Sequence, residues 1–327
     1  MYFGNEGPGR LQMLVDELVS NAIDQFLRGS CTRVDVSLHD DGWIEVSDDG
    51  AGLPFDVAGP IAGESLAERC FVDAHFTATA DGGVPHVHLH RRRGVGIAVI
   101  NAACESLVCR SFRNGICWEQ SFEHGQPVTP PQAVVQGDGR GTQYRLRPDS
   151  LIFGDSPVGT GLLRSSLWRA AHLFSGLVVG CGREIFVAPN GLCDLLHVMC
   201  EPTAEQQYAW RSRPAFRWHG RYGNYGIDAA AIGFAQAPTQ RCRWQSWVNG
   251  RSTPLHGTHV DGFSQVLRAA GWEPASAMLH IIAHDPRYAG PTCDRLVVGE
   301  VCDVIRAALG DAVRSYCAEH AVRAPVT

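Results

Sequence analysis

The stretch from Leu11 to Leu27 restricts the fold more than any other segment. Leu11, Leu14, Val15, Leu18, Ala22 and Phe26 recur at helical spacing and Gly29 lies just past the end, which predicts an amphipathic helix with one buried stripe. Directly downstream, Arg33 to His39 and Trp43 to Val46 read as strands hinged at Asp40-Asp41-Gly42, a hairpin signal. A helix with one apolar stripe and a hairpin with one apolar face bury each other when stacked, so the chain is expected to be α+β, with one sheet covered by helices on one face.

The rest of the chain extends that layer and then starts another. Residues 59–93 are irregular, Gly- and His-rich, and fit a long loop with some helix; Gly94 to Cys104 returns to an apolar helical pattern. Ser106 to Phe112, Gly115 to Phe122 and Gly141 to Arg147 alternate like antiparallel strands. Leu162 to Phe174 reads as a helix and Glu184 to Val187 as a short strand, and Pro189-Asn190-Gly191 marks a turn near a domain border. Strand patterns at Tyr225 to Gly233, Trp244 to Asn249 and Ala277 to Ala283, with helices at Gly262 to Ala270 and Val298 to His320, make a second unit. The expected division is 1–195 and 196–327.

Composition excludes several classes. A formal net charge of −6 argues against a chain that coats nucleic acid by bulk electrostatics. The apolar runs are too short to span a bilayer and the first residues lack a signal-peptide pattern, so a cytoplasmic protein without membrane contact is expected. All 28 basic residues are arginine, which removes the P-loop lysine and Schiff-base chemistry. The 12 cysteines contain no CxxC pair and read as small buried apolar side chains.

Four short segments carry polar residues suited to chemistry. Glu17, Asn21 and Asp24 stand at i, i+4 and i+7 on the first helix, so they share a stripe beside its apolar face. Asp48-Asp49-Gly50-Ala51-Gly52 puts a carboxylate at a strand end beside glycines that permit close approach. Gly94-Val95-Gly96 opens a helix, where free amides and the positive helix end can hold an anion. Gly141-Thr142 leads into a strand. Singly, each is a common structural device.

In order, they resemble the ATP site of the GHKL superfamily, and more narrowly the gyrase B and ParE ATPases. ELVSNAID is similar to the family's N-box, SDDGAGLP to its adenine loop, RGVGIAVINA to its phosphate loop and helix, and GRGTQYRLRP to its last motif. MYFG is similar to the family's approach to its first helix, while WVNGRSTPLHGTHVDGF and DPRYAGPTCDRLVVGEV resemble the transducer helix and the switch loop. The resemblance implies a Bergerat two-layer α/β sandwich followed by a smaller α/β transducer-like domain. It implies ATP and Mg²⁺ as ligands, Glu17 as the base that polarises the attacking water, and Asn21 as the Mg²⁺ ligand. Asp48 would accept the adenine amino group, with Gly52 and Thr142 around a water at the base and Leu53 and Pro54 lining the ring. Gly94, Val95 and Gly96 would offer amides to the phosphates, and Asp24 would support the site from behind.

The departures qualify the expected activity. Where the family has a glycine-rich lid, this chain has His90, Arg91, Arg92 and Arg93; the switch-loop glutamine and lysine fall on Pro291 and Cys293; the arginine of the adenine loop is replaced by Ala51. Arg295 or Arg287 from the switch loop, or Arg93 from the lid, are the candidates to restore the missing charge, although arginine's planar fork does not reproduce a lysine point contact. Expected partners are a homodimer mate and a separate DNA-cleavage subunit. The family's subunit-wrapping arm and cleavage machinery are absent from the stretch read, so topoisomerase activity is not expected of this chain alone. A repurposed or pseudo-ATPase, serving as a pathway enzyme or nucleotide-binding regulator, is the rival reading. His86, His88 and His90 share one face if extended, an acceptable geometry for zinc, but no fourth ligand is evident nearby and a polar lid is the favoured reading.

Overall fold

The structure, a computed structural model, describes residues 9–74, 76, 85–89, 95–137, 139–154, 158–200, 214–233 and 241–320. It separates into two compact units, residues 1–171 with 176–187 and residues 172–175 with 188–327.

The first unit is built on helix α1 (Gly9–Leu27), whose Leu14, Val15, Leu18, Val19, Ala22 and Ile23 are almost fully buried. The helix packs on the hairpin of β1 (Arg33–Leu38) and β2 (Ile44–Asp48), which turns Val34, Val36, Ile44 and Val46 inward. Each such side chain contributes about 1.5–3 kcal/mol by leaving water. The sheet continues from β2 through β7 (Gly141–Pro148) and β3 (Cys104–Arg113) to β4 (Ile116–Glu123), all antiparallel. Two short strands, β5 (Gln126–Pro127) and β6 (Gln132–Gln136), pair with β4. On the other side β8 (Val178–Cys181) lies parallel to β1, with β9 (Glu184–Phe186) beyond it.

Four further helices belong to this layer. Helix α2 (Leu66–Val72) begins with a capping box in which Ser65 and Glu68 satisfy each other's amides. Helix α3 (Ile97–Ala102) is shorter than the apolar run Gly94–Cys104 suggests, because Cys104 already opens β3. Helix α4 (Ser150–Phe153) is a single turn capped by Asp149, and α5 (Thr160–Leu173) buries Leu163, Leu167, Ala170 and Ala171. The buried Asp16 of α1 accepts hydrogen bonds from Gln12 Nε2 and from Ser166 Oγ of α5, both at 2.8 Å, which fixes the two helices against each other.

The second unit has a five-stranded sheet in the order β10 (Phe216–Tyr222), β11 (Tyr225–Ile232), β14 (Ser276–Ile282), β12 (Arg243–Val248), β13 (Arg251–Ser252). Helix α7 (Thr258–Ala269) connects the parallel pair β12 and β14, and packs against α8 (Gly299–Glu319). Their core holds Phe216, Phe263, Trp272, Ile281 and Ile305. Helix α6 (Leu192–Met199) packs against β11 and β14. Burial depresses His280 to about 4, and its ring bridges Gly250 N and Leu173 O, both at 3.0 Å, as a neutral tautomer. Of the 12 cysteines seven are buried and all are free thiols. No helix among the described residues is long and apolar enough to cross a membrane.

Candidate functional site

Asp48 ends β2 directly opposite Thr142 at the start of β7, so the pairing of two strands sets one wall of a site. The two adjacent aspartates do different work. Asp49 accepts from the Thr32 hydroxyl at 2.5 Å and from the amides of Thr32 and Arg33 at 2.6 and 2.9 Å, pinning the loop to β1. Its partial burial favours the neutral acid, but those hydrogen bonds outweigh it and hold Asp49 down at about 2. Asp48 instead faces a cavity, and burial pushes it up to about 6 against the opposing hydrogen bonds from the Gly50 and Thr142 amides.

The loop that follows is shaped by glycine. Gly52 has φ +74°, and a Cβ there would stand 2.6 Å from Phe112 O. That close approach lets Ser111 Oγ accept from Leu53 N at 2.6 Å and anchors Leu53 and Pro54 along the cavity wall.

Helix α1 supplies the opposite wall. Glu17, Asn21 and Asp24, which share one stripe of the helix, all line the cavity. Glu17 Oε1 accepts from Gly96 N at 2.9 Å, tying α1 to the start of α3; burial raises its pKa, and the Gly96 and Val95 amides pull the other way. Asp24 Oδ1 accepts from Val87 N at 2.8 Å and Oδ2 meets His86 Nδ1 at 3.0 Å. The carboxylate thereby fastens the segment 85–89 across the cavity.

The cavity volume is about 670 Å³, within the range that holds a small organic ligand. Glu17, Asn21, Asp48, Gly52, Leu53, Pro54, Val95, Gly96 and Thr142 line this one space. Arg93, Gly94 and His90 lie outside the described residues. His86 and His88 face the cavity, and no group of three metal-ligating side chains occurs among the described residues. Arg295 belongs to the second unit, where its carbonyl accepts from Ala289 N at 2.9 Å; Cys293 has φ +57° and its thiol contacts Pro291 O.

Some lining residues are absent from the sequence-based set. Arg113, from the β3–β4 turn, reaches Asp56 at 3.0 Å and Ala51 O at 3.4 Å, bringing a guanidinium beside the loop whose own arginine position is Ala51. No local pattern announces it, because the contact spans more than fifty residues. Tyr144 follows Thr142 by two residues on β7, so strand alternation alone puts it on the same face.

Residues 6–151 match the family model of the histidine kinase-, DNA gyrase B- and HSP90-like ATPases. The chain is 38% identical over 181 residues to the DNA gyrase B protein of Thermotoga maritima, an alignment that covers 55% of this chain and 28% of that protein. It is 28% identical over 361 residues to the DNA topoisomerase 4 B protein of Caulobacter vibrioides, covering 95% of this chain and 49% of the relative. The chain thus spans half or less of the length of these relatives. Among solved structures, the 43K ATPase domain of Thermus thermophilus gyrase B, in complex with an aminocoumarin, superposes with a TM-score of 0.80 over 98% of this chain and 88% of that one, at 22% identity, a likeness of fold. The first unit of this chain therefore carries a GHKL ATPase-family domain whose relatives include the gyrase B and topoisomerase IV B proteins.

Proposed function

We propose that the cavity binds ATP with Mg²⁺ and that the chain hydrolyses it, using the cycle to drive a conformational change or dimerisation. The observation that carries this reading is one cavity with an acceptor carboxylate, Asp48, paired to Thr142 at one wall and a second carboxylate, Glu17, bonded to the Gly96 amide at the other. Asp48 accepts the base's amino group, and Leu53 and Pro54 cover the ring. The amides of Val95 and Gly96 receive phosphate oxygens, and the resemblance adds Gly94 and Arg93 to the same role. Glu17 occupies the Gly96 amide. An incoming phosphate competes for that donor and releases the carboxylate to take a proton from water.

Asn21 offers a neutral hard oxygen, which suits a cation that keeps most of its coordination for phosphate and water. Bound Mg²⁺ supplies charge neutralisation for the phosphates. Asp24 holds His86 and Val87 in place around that end of the cavity. Arg295, Arg287 and Arg93 are the candidates that the resemblance offers for the charge of the missing lysine.

Isothermal titration with a non-hydrolysable ATP analogue and Mg²⁺ tests the binding claim, and an absence of saturable heat removes it. A pH series adds a second check. Asp48 titrates near 6 in the ligand-free protein, and the ligand needs its ionised form, so affinity is expected to fall about tenfold between pH 7 and pH 5. In Asp48→Asn that Asp48-dependent fall disappears at a lower overall affinity. A decline equally steep in both proteins would show that Asp48 is not the titrating acceptor.

The rival reading is a nucleotide-binding regulator that does not turn over, favoured by the positions of Pro291 and Cys293 where the resemblance expects a glutamine and a lysine. Phosphate release decides between them. The kinship with the topoisomerase B proteins extends the proposal to a homodimer and a separate DNA-cleaving partner, and DNA-stimulated hydrolysis is the expected sign of the latter.

A further inference from the structure

We propose that Tyr144 is a specificity-determining residue of the nucleotide site: its hydroxyl accepts the second N–H of the purine 6-amino group whose first N–H Asp48 accepts. The inference rests on the ATP reading above and deepens it by naming what the base must carry.

Tyr144 stands on β7 two residues after Thr142 and opposite Val46 of β2 and Cys109 of β3. It is therefore one same-face position farther along the sheet than the Asp48–Thr142 pair, and it lines the same cavity. The residue is only 3% exposed, yet its hydroxyl makes no hydrogen bond to any described residue. The hydroxyl is not sealed off, and keeps accessible surface where Tyr144 lines the cavity. Such a group in a ligand-sized cavity is a group that a ligand completes.

The chemistry fits an amine. Burial, together with the nearby Cys109, Asp48 and Cys70, keeps the phenol un-ionised well above its ordinary range, so the oxygen is a neutral acceptor. An exocyclic amine has two N–H donors, and a carboxylate on one side with a phenol on the other satisfies both. A 6-oxo purine offers only an acceptor there and would face the Asp48 carboxylate with its own lone pairs. Sites built to hydrogen-bond a group discriminate strongly against analogues that lack it.

Calorimetry on the full chain tests this with ADP and purine riboside 5′-diphosphate, which lacks only the 6-amino group; neither has a γ-phosphate to lose. Tyr144→Phe keeps the ring and is expected to weaken ADP about 3- to 10-fold, the worth of one net hydrogen bond, while shifting purine riboside diphosphate less than about twofold. The ligand-free melting temperature of the variant should stay level, since the hydroxyl makes no hydrogen bond to a described residue. Unchanged ADP affinity, or an equal loss for both ligands, overturns the assignment. Failure of the unmodified protein to bind ADP or ATP takes down the nucleotide reading and this assignment with it.

Discussion

Replacing Glu17 with glutamine is expected to lower ATP turnover by about 10²–10⁴-fold while changing nucleotide affinity by less than about threefold. The substitution preserves length and shape, and its amide oxygen still accepts from Gly96 N, the bond that the carboxylate makes at 2.9 Å. What it removes is the proton-accepting group. Burial raises the pKa of Glu17, which makes the carboxylate a stronger base than an exposed glutamate, and the Gly96 and Val95 amides hold that rise in check. Losing those amides to phosphate therefore makes the freed carboxylate more basic at the moment a base is needed. Phosphate release at saturating ATP, with titration of a non-hydrolysable analogue alongside, separates chemistry from binding. Turnover that survives in Glu17→Gln would remove this residue from the role. If the unmodified chain binds ATP and releases no phosphate, the regulator reading stands instead.

The parts of this site that the sequence makes legible are those set by short-range periodicity. Glu17, Asn21 and Asp24 lie seven residues apart at most on one helix, so spacing alone brings them to one wall. The β1–β2 hairpin and the α1 stripe are equally plain because each repeats its period several times. Short apolar runs are not. The four-residue strand β8 is too short to show an alternation, and α3 shares one apolar run with the start of β3, so periodicity cannot say where that helix ends and the strand begins. Strand β10 alternates Phe216, Trp218 and Gly220 with the exposed Arg217, His219 and Arg221, but Gly220 and the half-buried Trp218 leave its apolar face weak. The roles of Asp48 and Asp49 depend on which side of the sheet each points to, and Arg113 enters the cavity through a contact that no local pattern encodes.

Gly141→Ala should produce the largest stability loss of any single methylene-sized change in the first unit, about 3–5 kcal/mol. Gly141 has φ +99°, and an added Cβ would fall 1.8 Å from Asp48 O, 2.7 Å from Asp48 C and 2.8 Å from Asp49 Cα. All three obstacles are backbone, so no rotamer relieves the overlap; β7 must move away from β2. The left-handed conformation alone costs an alanine about 1 kcal/mol. Gly115 isolates that portion, since it has φ +77° with nothing within 4 Å of an added Cβ, and Gly115→Ala is expected to lose only about 1 kcal/mol. The difference between the two variants, read from urea unfolding midpoints, is the cost of prising apart the Asp48–Thr142 pair. Losses within about 1 kcal/mol of each other would mean that the strands yield freely. Because Asp48 is both the obstacle to the methyl group and the proposed acceptor for the base, any Gly141→Ala molecules that remain folded should also bind ATP more weakly. A domain whose total stability is typically about 5–15 kcal/mol retains little margin after such a change, so the glycine that opens β7 governs the fold and the site through the same residue, Asp48.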